Sequence, residues 1–216
     1  MTQLTPEILL QAYMQGIFPM AESRYDPTIY WIDPEMRGVI PLERFHVSRR
    51  LARTVRSRSN SLYINRNFEA VISACAKSGR NRKKTWINDQ IISLYTQLHD
   101  MGFAHSVECW DNDQLVGGLY GLSIRGAFFG ESMFSLMRDT SKIALVHLVT
   151  RLRAGGYSLL DVQFVTPHLK KFGAMEIPRS DYHATLAKAL TLNGNFYSLA
   201  EPSDKSSILQ STTQIS

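Results

Sequence analysis

Two cysteines in 216 residues, Cys75 and Cys109, are too few for a disulfide framework or a cysteine-built zinc site. Both read as small buried hydrophobes. No uninterrupted apolar run approaches the roughly 18 residues of a membrane span. The opening stretch, MTQLTPEILLQAYMQGIFPM, lacks the basic start and the apolar run of a signal peptide. Cytoplasm is therefore the expected compartment, and no membrane partner is expected. The six histidines form no HExxH or other metal-ligand spacing, and no GxSxG serine elbow occurs. The pyrophosphate-cradling R/Q-x-x-G-x-G/A run of acyl-CoA acetyltransferases is also missing; RLRAGGY has the wrong spacing and lies at a helix end.

Acidic residues are scarce in one block. Positions 37 to 84 hold 13 Lys/Arg and two Asp/Glu, a net charge of +11, against −6 for the rest of the chain. Such a concentration steers polyanions and contacts phosphates, although solvated helix faces are the plain alternative. Its helical part, SRRLARTVRS, is amphipathic, with Leu51 and Val55 inward. Ahead of it, TPEILLQAYMQG reads as a helix capped by Thr5, with Ile8, Leu9, Ala12 and Tyr13 as its apolar stripe. Short strands are expected at TIYWI, RGVIPL and SLYIN, and helices at FEAVISACAKS and NDQIISLYTQLHDMG.

The texture then changes to three strands joined by turns at DNDQ and RG, then a helix over SKIALVHLVTRLRA. A strand (YSLLDVQF), a short helix capped by Thr166 and a last long helix over SDYHATLAKALTLN follow. That order predicts an α+β layout with helices covering a sheet. The expected division is a smaller N-terminal α+β domain with the basic helix over 1–62, a catalytic domain over 63–200, and a Ser/Thr-rich tail over 201–216.

Glu131 stands in the most apolar part, between Phe128, Phe129, Met133 and Phe134. Burial disfavours a charged carboxylate unless it is partnered. Strict alternation puts Phe129, Glu131 and Met133 on one face; either that face meets solvent or the carboxylate serves a site. Asp161 and Gln163, at i and i+2 of a strand, share a face, again toward solvent or toward a substrate that the amide orients. Trp86 follows the basic run directly, a placement that suits stacking on a base as well as ordinary packing. Lys142 opens a helix and either neutralises a phosphate or closes a salt link.

The stretches YMQGIFPM, YWIDPEMRGVIPL, HVSRRLARTVR, TWINDQIISLYTQLHDMGFAHSVECW, LVGGLYGLSIRGAFFGESMFS, TSKIALVHL, LLDVQF, TPHLKKFGA and IPR together resemble the leucyl/phenylalanyl-tRNA–protein transferase family. FFGESMFS and HSVECW are the most specific of them. The resemblance implies an acetyltransferase-like (GNAT-type) C-terminal domain beside a smaller N-terminal one. It implies an enzyme that moves Leu or Phe, and Met less readily, from aminoacyl-tRNA to the α-amine of proteins beginning with Arg or Lys, marking them for degradation by the N-end rule. No metal or dissociable organic cofactor is implied, and a monomer is expected.

By the same resemblance, Asp161 and Gln163 handle the proton and orient the attacking amine, while Glu131 holds an amino group or the acceptor's basic side chain. Leu119, Phe128 and Met133, with Leu152 a weaker candidate, line the donor side-chain pocket. Trp86 stacks near the terminal adenosine. Arg37, Arg49, Arg80, Arg82, Lys83 and Lys84 contact acceptor-stem phosphates. Two departures stand out: Val162 between Asp161 and Gln163, and the turn SIRG, which is expected to set Arg125 near the pocket rim. A bare RNA-binding module would explain the basic block but not the three polar site residues. A two-carboxylate hydrolase would leave the basic block without a purpose.

Overall fold

Residue chemistry sets the local elements in order along the chain. The computed structural model describes residues 4–57, 60–77 and 85–199. Thr5 accepts from the Ile8 amide and Pro6 takes the first turn of α1 (Pro6–Met14), so both start signals act together. Leu9 and Tyr13 of its stripe are buried, whereas Ile8 is turned out. Two short strands, β1 (Phe18–Met20) and β2 (Tyr30–Ile32), pair antiparallel into a separate ribbon. β1 was not expected from its three residues. Then come β3 (Met36–Val39), the basic helix α2 (Arg49–Ser57), β4 (Ser61–Ile64) and α3 (Phe68–Ala76). Asn88 caps α4 (Asp89–Asp100) through the Ile91 amide.

The long antiparallel run β5 (Ala104–Asp111), β6 (Gln114–Ile124) and β7 (Ala127–Ser135) follows. Helix α5 (Thr140–Ala154) carries the chain over to β8 (Leu159–Gln163), which runs parallel to β7. The short α6 (Pro167–Lys170), capped by Thr166, leads to β9 (Met175–Pro178) and α7 (Arg179–Ala189).

Seven strands make one sheet in the order β4-β5-β6-β7-β8-β3-β9. β3, from the early part of the chain, lies antiparallel between β8 and β9. Among the described residues, two apolar cores fill the two faces. One gathers Leu9 and Tyr13 of α1 with α3, α4 and α7 over Tyr120, Leu122 and Phe129. The other gathers Leu51 and Val55 of α2 and most of α5 over Leu119, Phe128 and Leu160. α5 is buried nearly all round, which explains why its sequence shows no polar face. The whole is a mixed α+β fold, a small N-terminal domain and a C-terminal sheet flanked by helices, consistent with the acetyltransferase-like architecture. Cys75 and Cys109 are both buried.

Candidate active site

The register of β6 against β7 decides where the key carboxyl goes. Tyr120 pairs with Ser132 and Gly121 with Gly130, so Glu131 is an extra residue that opposes nothing across the ladder. This is a β-bulge, and it breaks the alternation. Phe129 packs in the core under α1 and α4, whereas Met133 packs on the opposite face with Phe128 and Leu119. The expectation that Phe129, Glu131 and Met133 share a face is therefore corrected. Gly121 permits the kink, because a Cβ there would overlap the Phe129 carbonyl and the Phe128 ring.

At the bulge lies a cavity of about 400 Å³. Leu119, Met133, Leu145, Leu148, Leu160 and Leu169 give it an aliphatic wall. Phe18, Pro19, Met20 and the half-buried Trp86 line it as well. The polar groups facing it include Glu131, Ser132, Gln163, Thr166 and His168. Phe128 is not among the lining residues: it is fully buried and stacks on Phe196 at 5.6 Å, so it backs the wall instead of forming it. Leu152 is likewise buried away from the lining.

Glu131 is held by two phenols from two helices. Tyr13 of α1 donates to its Oε1 at 2.7 Å, and the Tyr95 hydroxyl of α4 lies 3.2 Å from its Oε2. The two phenolic oxygens are themselves 2.5 Å apart. Desolvation outweighs these hydrogen bonds, and the neighbouring Asp161 charge adds to it, so the Glu131 carboxyl is pushed up to about 8. Burial first, and then the Glu131 charge, hold both phenols well above their usual range.

Asp161 sits behind this group, with no exposed surface. Its carboxylate accepts from Arg37 Nε (3.0 Å) and Nη2 (2.7 Å), from Tyr182 Oη (2.8 Å) and from the Gln163 amide (2.8 Å). Four donors occupy its lone-pair directions, and Asp161 does not line the cavity. Arg37 is 1% exposed, donates also to the Gly16 carbonyl at 2.9 Å, and lies over the Phe18 and Tyr182 rings at 4.4 and 4.5 Å. Burial opposes its charge, but the Asp161 carboxylate prevails and holds it above its ordinary range. The expectation that Arg37 meets an RNA phosphate is corrected: its guanidinium is inside the protein and already partnered.

Gln163 ends β8 in a left-handed conformation, φ 57°, which a non-glycine residue adopts at a cost. The bond from its backbone amide to Asp161 fixes that turn. The two carbonyls beside its side chain, Gly130 at 2.8 Å and Val162 at 3.3 Å, can only accept, which assigns the amide nitrogen to that side as their donor. The amide oxygen is then left as an acceptor on a residue that lines the cavity. Glu131 and Gln163 thus face one space, with Asp161 as the support behind them.

Arg49 is exposed on α2, a helix whose Leu51 and Val55 pack into the core around α5. Leu145 and Leu148 of α5 line the cavity, so the basic helix and the cavity share one support. The expected contacts Arg80, Arg82, Lys83 and Lys84 lie outside the described residues. Lys142 closes a salt link, to Asp139 at 2.5 Å. Arg125 donates to Asn193 from the β6–β7 turn and is not at the cavity, which corrects the rim expectation. Sequence reasoning missed Tyr13, Tyr95 and Tyr182. A tyrosine in a buried stripe is the one available signal, since its hydroxyl needs a partner. Among the described residues, no cluster of three His, Cys, Asp or Glu is arranged to hold a metal, and no helix is long and apolar enough to cross a membrane.

Two family models cover nearly all of the described chain. The model for leucyl/phenylalanyl-tRNA protein transferase matches residues 39–187, and that for the N-terminal domain of the same transferase matches residues 2–35. A leucyl/phenylalanyl-tRNA–protein transferase of Maricaulis maris is 59% identical over 210 residues, 97% of each chain. Its namesake in Phenylobacterium zucineum is 58% identical over 199 residues, covering 92% of this chain and 90% of the relative. One of Rhodopseudomonas palustris is 57% identical over 198 residues, 92% and 88%.

Proposed function

The chain belongs to the leucyl/phenylalanyl-tRNA protein transferase family, and from that premise we propose that it moves Leu or Phe, and Met less readily, from aminoacyl-tRNA to the α-amine of proteins beginning with Arg or Lys. The product is a protein marked for degradation by its new N-terminal residue. The chain is an enzyme, an aminoacyltransferase. Its donor is an activated ester, so attack by an amine runs downhill without ATP. The protein's task is to align an amine with a carbonyl, take up a proton and stabilise the developing charge.

One observation carries this reading: Glu131 and the Gln163 amide face a single aliphatic cavity of about 400 Å³, within the size range of small-ligand sites. The donor's side chain enters between Leu119, Met133, Leu148 and Leu160, with flexible Met133 adapting to Leu or Phe. Trp86 stacks on the terminal adenosine at the edge of that space. The Gln163 amide oxygen accepts a hydrogen from the attacking amine, and Glu131 takes the acceptor's cationic group. Asp161 is a positioning residue, acting through the backbone of Gln163 and through Arg37. Arg49 and the run Arg80, Arg82, Lys83 and Lys84 meet acceptor-stem phosphates, reading shape more than sequence.

The test is to mix the protein with labelled Phe-tRNA and a peptide that starts with Arg. Label should appear in that peptide, and not in a peptide that starts with Gly or when the label is offered as free phenylalanine. Absence of label from the Arg peptide would overturn the reading.

A further inference from the structure

The three contacts among Glu131, Tyr13 and Tyr95 pose a counting problem. Tyr13 Oη is 2.7 Å from Glu131 Oε1, Tyr95 Oη is 3.2 Å from Oε2, and the two phenols are 2.5 Å from each other. The contacts close a ring, and each needs a hydrogen between its oxygens. A phenol supplies one hydrogen. If both phenols donate to the carboxyl, the 2.5 Å contact between them holds none, and two oxygen lone pairs face each other in a buried site. If one phenol donates to the other, one carboxyl oxygen is left facing an unprotonated side of a phenol. Only a third hydrogen satisfies all three contacts, and within the ring only the carboxyl can carry it.

We infer that the empty enzyme holds Glu131 as the neutral acid in a closed ring with Tyr13 and Tyr95, and that the acceptor's ammonium group enters by displacing that proton to solvent. The second half rests on the reading of Glu131 given above. In the ring, Tyr13 donates to Oε1, the acid donates from Oε2 to Tyr95, and Tyr95 donates to Tyr13. On binding, the carboxyl proton leaves to water and a carboxylate faces the ammonium. Charge balances, with one proton released for each cation taken up. Tyr13 and Tyr95 are positioning residues: they hold the acid until a cation makes its ionised form the better partner.

The surroundings favour this chemistry. Beside Tyr13 from α1 and Tyr95 from α4 stand Tyr120 on β6, whose ring meets that of Tyr95 at 5.6 Å, Asp161 on β8 and Arg37 on β3. His168 on α6 lines the same cavity. The phenols Tyr13 and Tyr95 are held above their usual range, Arg37 above its own, and His168 is held by burial below the usual imidazole range. Arg37 and Asp161 neutralise each other. Glu131, at about 8, is the member left to change charge near neutrality. A neutral acid in an apolar pocket acts as a hydrogen-bond donor, which a carboxylate cannot do.

Glutamine tests the ring directly. Its carbonyl accepts from Tyr13 and its NH₂ donates to Tyr95, so Glu131→Gln reproduces all three contacts. A folded acid with a raised pKa stabilises fully below its unfolded value, here 4.5, and loses that contribution as pH rises to its folded value of about 8. Denaturant unfolding of both proteins across this range should find Glu131→Gln at least as stable as wild type. The ratio of their folding constants should grow by about tenfold per pH unit between those limits.

A variant less stable than wild type, with a ratio flat in pH, would overturn the neutral acid. The second arm is calorimetry of wild type with an Arg-starting peptide, in buffers of different ionisation heat. At about pH 6.5, close to one proton should be released per peptide bound. Binding with no release would overturn the displacement. No binding at all, with the stability arm intact, would remove the acceptor reading and keep the ring.

Discussion

At the scale of single residues, Asp161 and Gln163 look alike on one strand yet do different work. Asp161 is sealed against Arg37, whose side chain is 1% exposed. Asp161→Asn leaves a buried guanidinium half-compensated, a defect that costs about 3–5 kcal/mol. Urea unfolding should register that loss, and the paired change Arg37→Met with Asp161→Leu should lose less than either single change. Gln163→Ala removes a buried side chain that serves the Gly130 and Val162 carbonyls, a loss of about 0.5–1.5 kcal/mol, well short of that for Asp161→Asn. Single-turnover transfer should fall at least about a hundredfold, the scale of a lost proton-handling group, with Phe-tRNA affinity retained. Equal stability losses in the two variants would undo the distinction between support and reacting group. The sequence separates them poorly, because the partner that seals Asp161 lies 124 residues earlier in the chain.

Elements carry the next distinction. On α2, Arg49, Arg53 and Arg56 fall at i, i+4 and i+7 and form one exposed stripe. Arg50 lies off that stripe and donates to Asp139 at 2.9 Å, at the start of α5. That hydrogen bond, ahead of the link to Lys142, holds the Asp139 carboxyl down at about 2. Arg50 is thus a clamp between helices, already partnered. Arg53→Gln should reduce the slope of log affinity for Phe-tRNA against log salt by about 0.9, the loss of one phosphate contact. Arg50→Gln should leave the slope nearly unchanged, and equal slopes for the two variants would refute the division. The helix and its buried Leu51 and Val55 were legible in the sequence, because amphipathic spacing is a local property. The bulge at Glu131 was not: alternation assumes an unbroken ladder, and the register belongs to the pairing of β6 with β7. β9 was missed for a related reason, since its four residues gain strand form from β3.

For the whole molecule, one consequence of the topology governs cooperativity. β3 lies inside the large sheet, bonded on both sides, by β8 and by β9. Just before it, α1 sends Tyr13 to Glu131 of β7, and the Gly16 carbonyl after α1 receives Arg37 of β3. The early part of the chain is therefore fastened to β7 and β3 of the sheet through buried polar bonds. Opening α1 alone would take Tyr13 from the Glu131 carboxyl and the Gly16 carbonyl from the Arg37 guanidinium, at a cost of about 1–3 kcal/mol for each polar group left unsatisfied. Leu9 and Tyr13 would also leave a core in which both are fully buried. These penalties tie the opening of α1 to that of the sheet, although the two regions fall under separate family models. Hydrogen exchange under rising denaturant reads the coupling. Amides in the last turn of α1 and in the middle of β6 should converge on one opening free energy with one denaturant slope. If α1 exchanges through a separate opening with a shallow slope, the small N-terminal domain is an independent unit and the polar fastening does not bind it to the sheet.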